Sequence, residues 1–306
     1  MKLVFFGSPE FALDSLRIIH ESEHEILAVI SQPDKPKGRG RILQTTPVSL
    51  FAQQTNLKLM KPQDLNEDSF TSQYKALKPE INVVIAYGRI LPEWIIEFPE
   101  YKTINAHASL LPKYRGAAPI TRAILTGEKA TGVSIVFITK KLDAGDIIFQ
   151  ENVEIKTDDN ARSLSKKLSA LSADLFLKTL DLIKVEKLPT KKQDESQVSY
   201  AAKISKAELR IDFSQSSKEL LDKIRAFYPK PGAYTVYEGK RLKILEAAPT
   251  ETKGECGQVI NIDKGGVTIG TKDGAIKIKK VKAEGKNEMS AYDYSQGHRV
   301  KEGEIF

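Results

Sequence analysis

The chain has 306 residues, 41% of them hydrophobic and 28% charged, enough apolar material for a sizeable core and, by length, for about two domains. Its net charge of +7 is uneven: residues 1–183 carry 23 Lys and Arg against 22 Asp and Glu, while residues 184–306 carry 24 against 18. A mean hydropathy of -0.32 argues against disorder, the lone Cys256 excludes an internal disulfide framework and a multi-cysteine zinc site, and no apolar run approaches the roughly 20 residues that span a bilayer.

The apolar run after Lys2 is too short for a signal peptide and reads as a first strand, 3–6, ended by Gly7. These features predict a cytoplasmic protein without a membrane partner. Ser8 and Pro9 open a helix whose stripe is Phe11, Leu13, Leu16, Ile18 and Ile19. Further strands are predicted over 26–30, 81–86, 103–106 and 132–138, with helices over 46–55, 68–77, 118–126 and 161–185. This alternation predicts an α/β domain with a mostly parallel sheet covered on both faces. The polar stretch 189–207 reads as a linker between a first domain, 1–188, and a second, 208–306. In the second, a helix at 217–227 precedes short strands at 233–237, 241–247, 257–262, 267–270 and 275–281, punctuated by Glu238-Gly239, Lys264-Gly265-Gly266 and Asp273-Gly274. Five strands at this spacing suggest a small β-barrel of the oligonucleotide-binding kind.

Asn105 and His107 share one face of a strand that ends at once in Ser109-Leu110-Leu111-Pro112, and ligands bind at the carboxyl edge of a parallel sheet. The imidazole can carry a proton near neutral pH and the amide can donate to an oxyanion; taken alone, the pair is more often a polar strand end. Asp143 follows strand 132–138, a second carboxyl-edge loop from which it could orient His107, although Asp143-Ala144-Gly145 is also an ordinary turn pattern. No G-x-S-x-G elbow, G-x-G-x-x-G or phosphate-binding loop is present. The four histidines include no metal-spaced pair, and His20 and His24 read as solvated surface, so no metal is expected. Asn, His and Asp without a nucleophile or metal point to direct group transfer through a tetrahedral intermediate.

The run from Asn105 through Pro119, with Leu142-Asp143-Ala144-Gly145-Asp146 downstream, resembles the signature of the folate-dependent formyltransferases. The resemblance covers the whole chain and takes in Gln32 through Gly40, Ala86 through Pro92, Ile224-Arg225-Ala226-Phe227 and Pro231 through Thr235. It implies a Rossmann-like catalytic domain followed by an OB-like barrel. It also implies transfer of the formyl group of 10-formyltetrahydrofolate to the amino group of methionine on initiator tRNA. Asn105, His107 and Asp143 match the catalytic trio; Ser109, Leu110, Leu111 and Pro112, with Tyr87, Gly88, Ile90 and Leu142, match the folate-binding stretches. Lys35, Lys37, Arg39 and Arg41 match a loop that enters the acceptor end of tRNA, with Gly and Pro keeping it out of helix and sheet. Lys277 and Lys279 lie on the outward face of a barrel strand, and Lys203 and Lys206 would extend that cationic track.

Two departures from the pattern stand out. Thr139-Lys140-Lys141 precedes Asp143 where the family often has Gly or an acidic residue, and Ser49 stands where Lys is frequent, a change expected at an exposed helix start. A sugar-nucleotide formyltransferase would share the trio, and a retired enzyme fold that binds RNA would share the barrel; a shorter purine-pathway enzyme would not need 208–306. One active site per chain makes a monomer sufficient.

Overall fold

Continuous apolar runs become the buried strands of a seven-stranded sheet in the computed structural model, which describes residues 1–37, 42–183 and 188–306. The chain enters through β1 (Lys2–Gly7), α1 (Leu13–His20) and β2 (Glu25–Ile30), then the antiparallel pair β3 (Lys35–Lys37) and β4 (Ile42–Gln44). It continues through α2 (Pro47–Gln54), β5 (Leu59–Met60), α3 (Asp68–Leu77), β6 (Ile81–Ile85), α4 (Glu93–Glu97), β7 (Thr103–His107), β8 (Arg115–Gly116) and α5 (Pro119–Leu125). There follow β9 (Ala130–Phe137), β10 (Ile147–Glu154), α6 (Ala161–Ile183) and β11 (Tyr200–Ala201). The main sheet has the order β10-β9-β7-β6-β1-β2-β5.

β1 pairs in parallel with β2 and β6, and β6 with β7, so the carboxyl ends of β1, β6 and β7 share one edge. β9 departs from the expected parallel arrangement. It runs antiparallel to β7, with His107 opposite Ser134 and Ile104 opposite Phe137. The connection after His107 re-enters the sheet at the edge it left, and a parallel strand requires a crossover to the other edge. A hydrophobic cluster of Val4, Phe6, Tyr74, Val84 and Ile95 backs this sheet, and Asn82 is fully buried within it, bonded by Tyr74 Oη, the Ile95 carbonyl and Thr103 Oγ1.

Three local readings are corrected. The flanks of the basic loop do enter a sheet, pairing Lys35 with Gln44 and Pro36 with Leu43, because proline is tolerated in an edge strand. Ser49 is fully buried instead of exposed: Thr46 caps α2 by accepting the Ser49 N–H at 3.1 Å and donates its hydroxyl to Ser49 Oγ. His24 is likewise not on the surface. Its ring stands 3.1 Å from Asp181, and burial lowers its pKa, whereas His20 is exposed as expected.

The chain divides into two compact units, the first comprising Met1–Gly116, Thr131–Glu154 and Ser165–Ala201, the second Ala117–Ala130, Ile155–Leu164 and Ala202–Phe306. The second holds α7 (Ser217–Phe227), β12 (Ala233–Tyr237), β13 (Lys240–Thr250), β14 (Val259–Asp263), β15 (Gly266–Gly270), β16 (Ala275–Ala283), β17 (Glu288–Ser290) and α8 (Ala291–His298). Its antiparallel sheet has the order β12-β13-β16-β15-β14, with β17 on β16. Ser216 and Glu219 form a reciprocal cap on α7, whose Leu220, Ile224 and Phe227 pack with Ile244, Ile269 and Ile276.

Candidate active site

His107 ends β7 with its ring almost wholly buried. Its Nε2 lies 2.8 Å from the Tyr114 carbonyl, an atom that can only accept, so Nε2 carries the hydrogen. Nδ1 is thereby left as the nitrogen able to exchange a proton, and it stands 3.6 Å from Asp143 Oδ2. That oxygen also accepts the Gly116 N–H at 2.8 Å. Asn105, two residues back on the same strand face, is half-buried, and its amide makes no hydrogen bond to any described residue. Two proton-handling groups thus meet on the first unit near an amide with free donors.

Asp143 reaches His107 by a route other than the expected one. Because β9 is antiparallel, the loop 138–146 begins beside Ile104, at the amino end of β7, and folds back to bring its carboxylate up to the imidazole. Asp143 itself adopts φ +48°, and Tyr114 and Gly116 facing it also have positive φ, at +61° and +120°. Such left-handed residues persist where surroundings over-determine them. Gly145 cannot carry a side chain, since a Cβ there would lie 1.7 Å from the Phe137 carbonyl oxygen.

The residues expected to bind folate fall into two groups. Ser109 is buried and donates to the Lys113 carbonyl. Leu111 packs with Val136 and Ile147, its N–H bonded to Ser134 Oγ and its carbonyl to Gln150 Nε2, while Leu110 and Pro112 are half-buried. Tyr87 is buried with its carbonyl held by Gln32 Nε2 at 2.7 Å, and Gly88 follows at φ +77°. Ile90 and Leu142, by contrast, expose 92% and 59% of their surface. Large exposed apolar side chains, Ile90 on a loop at the sheet's carboxyl edge and Leu142 beside the Asp143 carboxylate, are suited to receive a planar, partly apolar ligand.

Side chains to which the motif reading gave no role surround these groups. Arg115 is fully buried and bonded to Gln193 and Glu195; Lys141 pairs with Glu195 and Lys140 with Glu93, which gives the unusual Thr139-Lys140-Lys141 run its partners. Hydrogen bonds from Arg115 and Lys141 draw the Glu195 carboxyl down to about 2. Arg115 lay within the quoted signature, but Gln193 sits in a polar stretch whose composition carries no signal.

Of the cations expected to meet RNA, Arg39 and Arg41 lie outside the described residues, as does the side chain of Lys37. Lys35 is exposed and bonds Gln32 Oε1. In the second unit Lys203, Lys206 and Lys279 are exposed, whereas Lys277 is 30% exposed and paired with Asp263 at 2.8 Å. Arg241 and Lys243, not singled out in the sequence, lie on β13, Arg241 over the Tyr234 ring and Lys243 opposite Lys282.

The formyl transferase family matches residues 1–180 and the formyl transferase C-terminal domain matches residues 203–299. Among curated proteins, a methionyl-tRNA formyltransferase of Sulfurihydrogenibium sp. (strain YO3AOP1) is 44% identical over the full length of both chains. Among solved structures, HypX from Aquifex aeolicus in complex with tetrahydrofolic acid superposes with a TM-score of 0.68 at 22% identity, over 96% of this chain and 47% of that one. The chain thus spans about half the length of HypX. A methionyl-tRNA formyltransferase from Clostridium thermocellum superposes with a TM-score of 0.60 at 17% identity, over 83% and 95% of the two chains. The structural likenesses are of fold; the full-length identity, together with both family matches, shows that the chain belongs to the methionyl-tRNA formyltransferase family.

Proposed function

We propose that the chain transfers the formyl group of 10-formyltetrahydrofolate to the free amine of methionine on initiator tRNA, with Asn105, His107 and Asp143 as the reacting constellation. The observation that carries this reading is the proximity of His107 Nδ1 to Asp143 Oδ2 beside the unengaged Asn105 amide. The amine nitrogen attacks the formyl carbon, and the carbonyl electrons move onto oxygen. An Asn105 N–H donates to that oxyanion, as preorganised donors do in acyl transfer. The carboxylate of Asp143 accepts the proton shed by the amine, directly or through a water. His107, fixed through Nε2, donates from Nδ1 to the tetrahedral centre when protonated. Collapse breaks the bond to the folate N10, which takes up the proton. Atoms and charge balance without an external acid or a metal.

Ile90 and Leu142 would cover the folate ring system, with the backbone of 86–91 and of 109–112 meeting its polar edge. Lys35, Lys37, Arg39 and Arg41 would contact the acceptor end of the tRNA, and Lys203, Lys206, Lys277 and Lys279 its backbone. The chain would act as a monomer in the cytoplasm; no helix among the described residues is long and apolar enough to cross a membrane.

The test is formyl transfer from 10-formyltetrahydrofolate to methionyl initiator tRNA, the uncharged tRNA and an amino-sugar nucleotide side by side. Product on the charged tRNA alone is expected. His107→Asn should lower kcat by about 10²–10⁴, the range for a positioned proton-transfer group. Transfer to the sugar would move the acceptor assignment, and unchanged kcat in His107→Asn would remove that residue from the chemistry.

A further inference from the structure

The tripeptide Tyr114-Arg115-Gly116 addresses both proton-handling groups. The Tyr114 carbonyl accepts from His107, and the Gly116 N–H donates to the Asp143 carboxylate. Between them the buried Arg115 guanidinium donates from Nε and Nη2 to Gln193 Oε1, at 3.0 and 2.8 Å, and from Nη2 to Glu195 at 2.8 Å. Gln193 turns its amide nitrogen the other way. Its Nε2 donates to the carbonyls of Asp143 and Gly145, both at 2.8 Å. The segment carrying these side chains is itself tied to the tripeptide: Ser199 accepts the Tyr114 N–H on Oγ and the Arg115 N–H on its carbonyl, each at 2.9 Å.

We propose that Gln193 is a positioning residue that holds the Asp143 carboxylate against His107. Asp143 sits in a left-handed conformation, so its backbone would relax toward a commoner one unless both its sides were held. Gly116 holds the carboxylate and Gln193 holds the carbonyl of the same residue. A glutamine is suited to this place because one side chain must accept from a guanidinium and donate to two carbonyls; a glutamate could do only the first. The charge on Arg115 polarises the amide it bonds, which strengthens the two N–H donors on its far side. The inference rests on the assignment of Asp143 to the reaction.

The experiment compares Gln193→Met, which removes the bonds at similar length, with Gln193→Glu, which turns an acceptor toward the two carbonyls while keeping the bond from Arg115. Each is made in the full chain, alone and combined with Asp143→Asn. Alone, Met should lower kcat about tenfold and Glu about a hundredfold, the cost of roughly 1 Å of misplacement. The KM for tRNA and for the folate donor should not move. Combined with Asp143→Asn, neither should lower kcat by more than about a further twofold, because a residue that acts through Asp143 has nothing left to position. Full penalties persisting in that background, or kcat retained in both single variants while Asp143→Asn is impaired, would overturn this inference alone. Undiminished kcat in Asp143→Asn would overturn it together with the catalytic assignment.

Discussion

Gly145→Ala places one methyl group where the loop that carries Asp143 crosses the end of β9. The new Cβ would lie 1.7 Å from the Phe137 carbonyl oxygen and 2.7 Å from its carbonyl carbon, both backbone atoms that cannot rotate aside. To restore even the 3.0 Å that Cβ contacts essentially never undercut, the loop must move by the difference, 1.3 Å. Asp143 is two residues away and already 3.6 Å from His107 Nδ1, so a shift of that size separates the carboxylate from the ring or from the Gly116 N–H. About 1 Å of misplacement costs roughly 10²-fold in rate, and overpacking a loop costs about 1–3 kcal/mol in stability. Single-turnover formylation of methionyl-tRNA with enzyme in excess measures the chemical step, and a thermal melt on the same sample shows that the protein is folded. A rate within about threefold of the unsubstituted protein, instead of the roughly 10²-fold loss, would refute the claim that this loop positions the carboxylate.

Tyr74→Phe keeps a ring among Phe6, Phe70 and Trp94 but leaves the fully buried Asn82 Oδ1 without its donor; unfolding in urea should show a loss of about 1–3 kcal/mol. The Glu208 carboxyl is held to about 2, against 4.5 ordinarily, by its hydrogen bonds from Arg122 and the Ser205 N–H. In that window the unfolded chain takes up the proton first, so stability present above about pH 4.5 is lost as pH falls toward 2, and Glu208→Gln should flatten the acid dependence of the urea midpoint. Lys279→Ala should reduce the salt dependence of tRNA affinity by about one unit of slope. Lys277→Ala should reduce it less, because Asp263 already neutralises that cation; equal slopes for the two variants would show that the Asp263 pair opens on binding.

The strands β1, β2, β6, β7 and β9, the helices α3 and α7, and the strand face shared by Asn105 and His107 were legible in the sequence, because burial imposes its period on the chain residue by residue. The short edge pieces β5 and α4, the strand β10 and the terminal α8 were not, since two to eight residues without a clean apolar period leave little to read. The direction of β9 was invisible for a different reason: a buried strand has the same apolar pattern whichever way it runs, and only the return of the connection to the edge it left decides. Nor did the composition of 189–197 say which carbonyls Gln193 would meet. Amphipathic period reports how deeply a residue is buried, whereas a hydrogen bond joining positions 50 apart depends on where two loops come to rest. By itself the sequence placed Asn105 and His107 on one strand face and offered Asp143 as a carboxylate that could meet them. Tertiary structure alone decided how Asp143 is brought to His107, because that approach is set by backbone carbonyls and N–H groups that every sequence has.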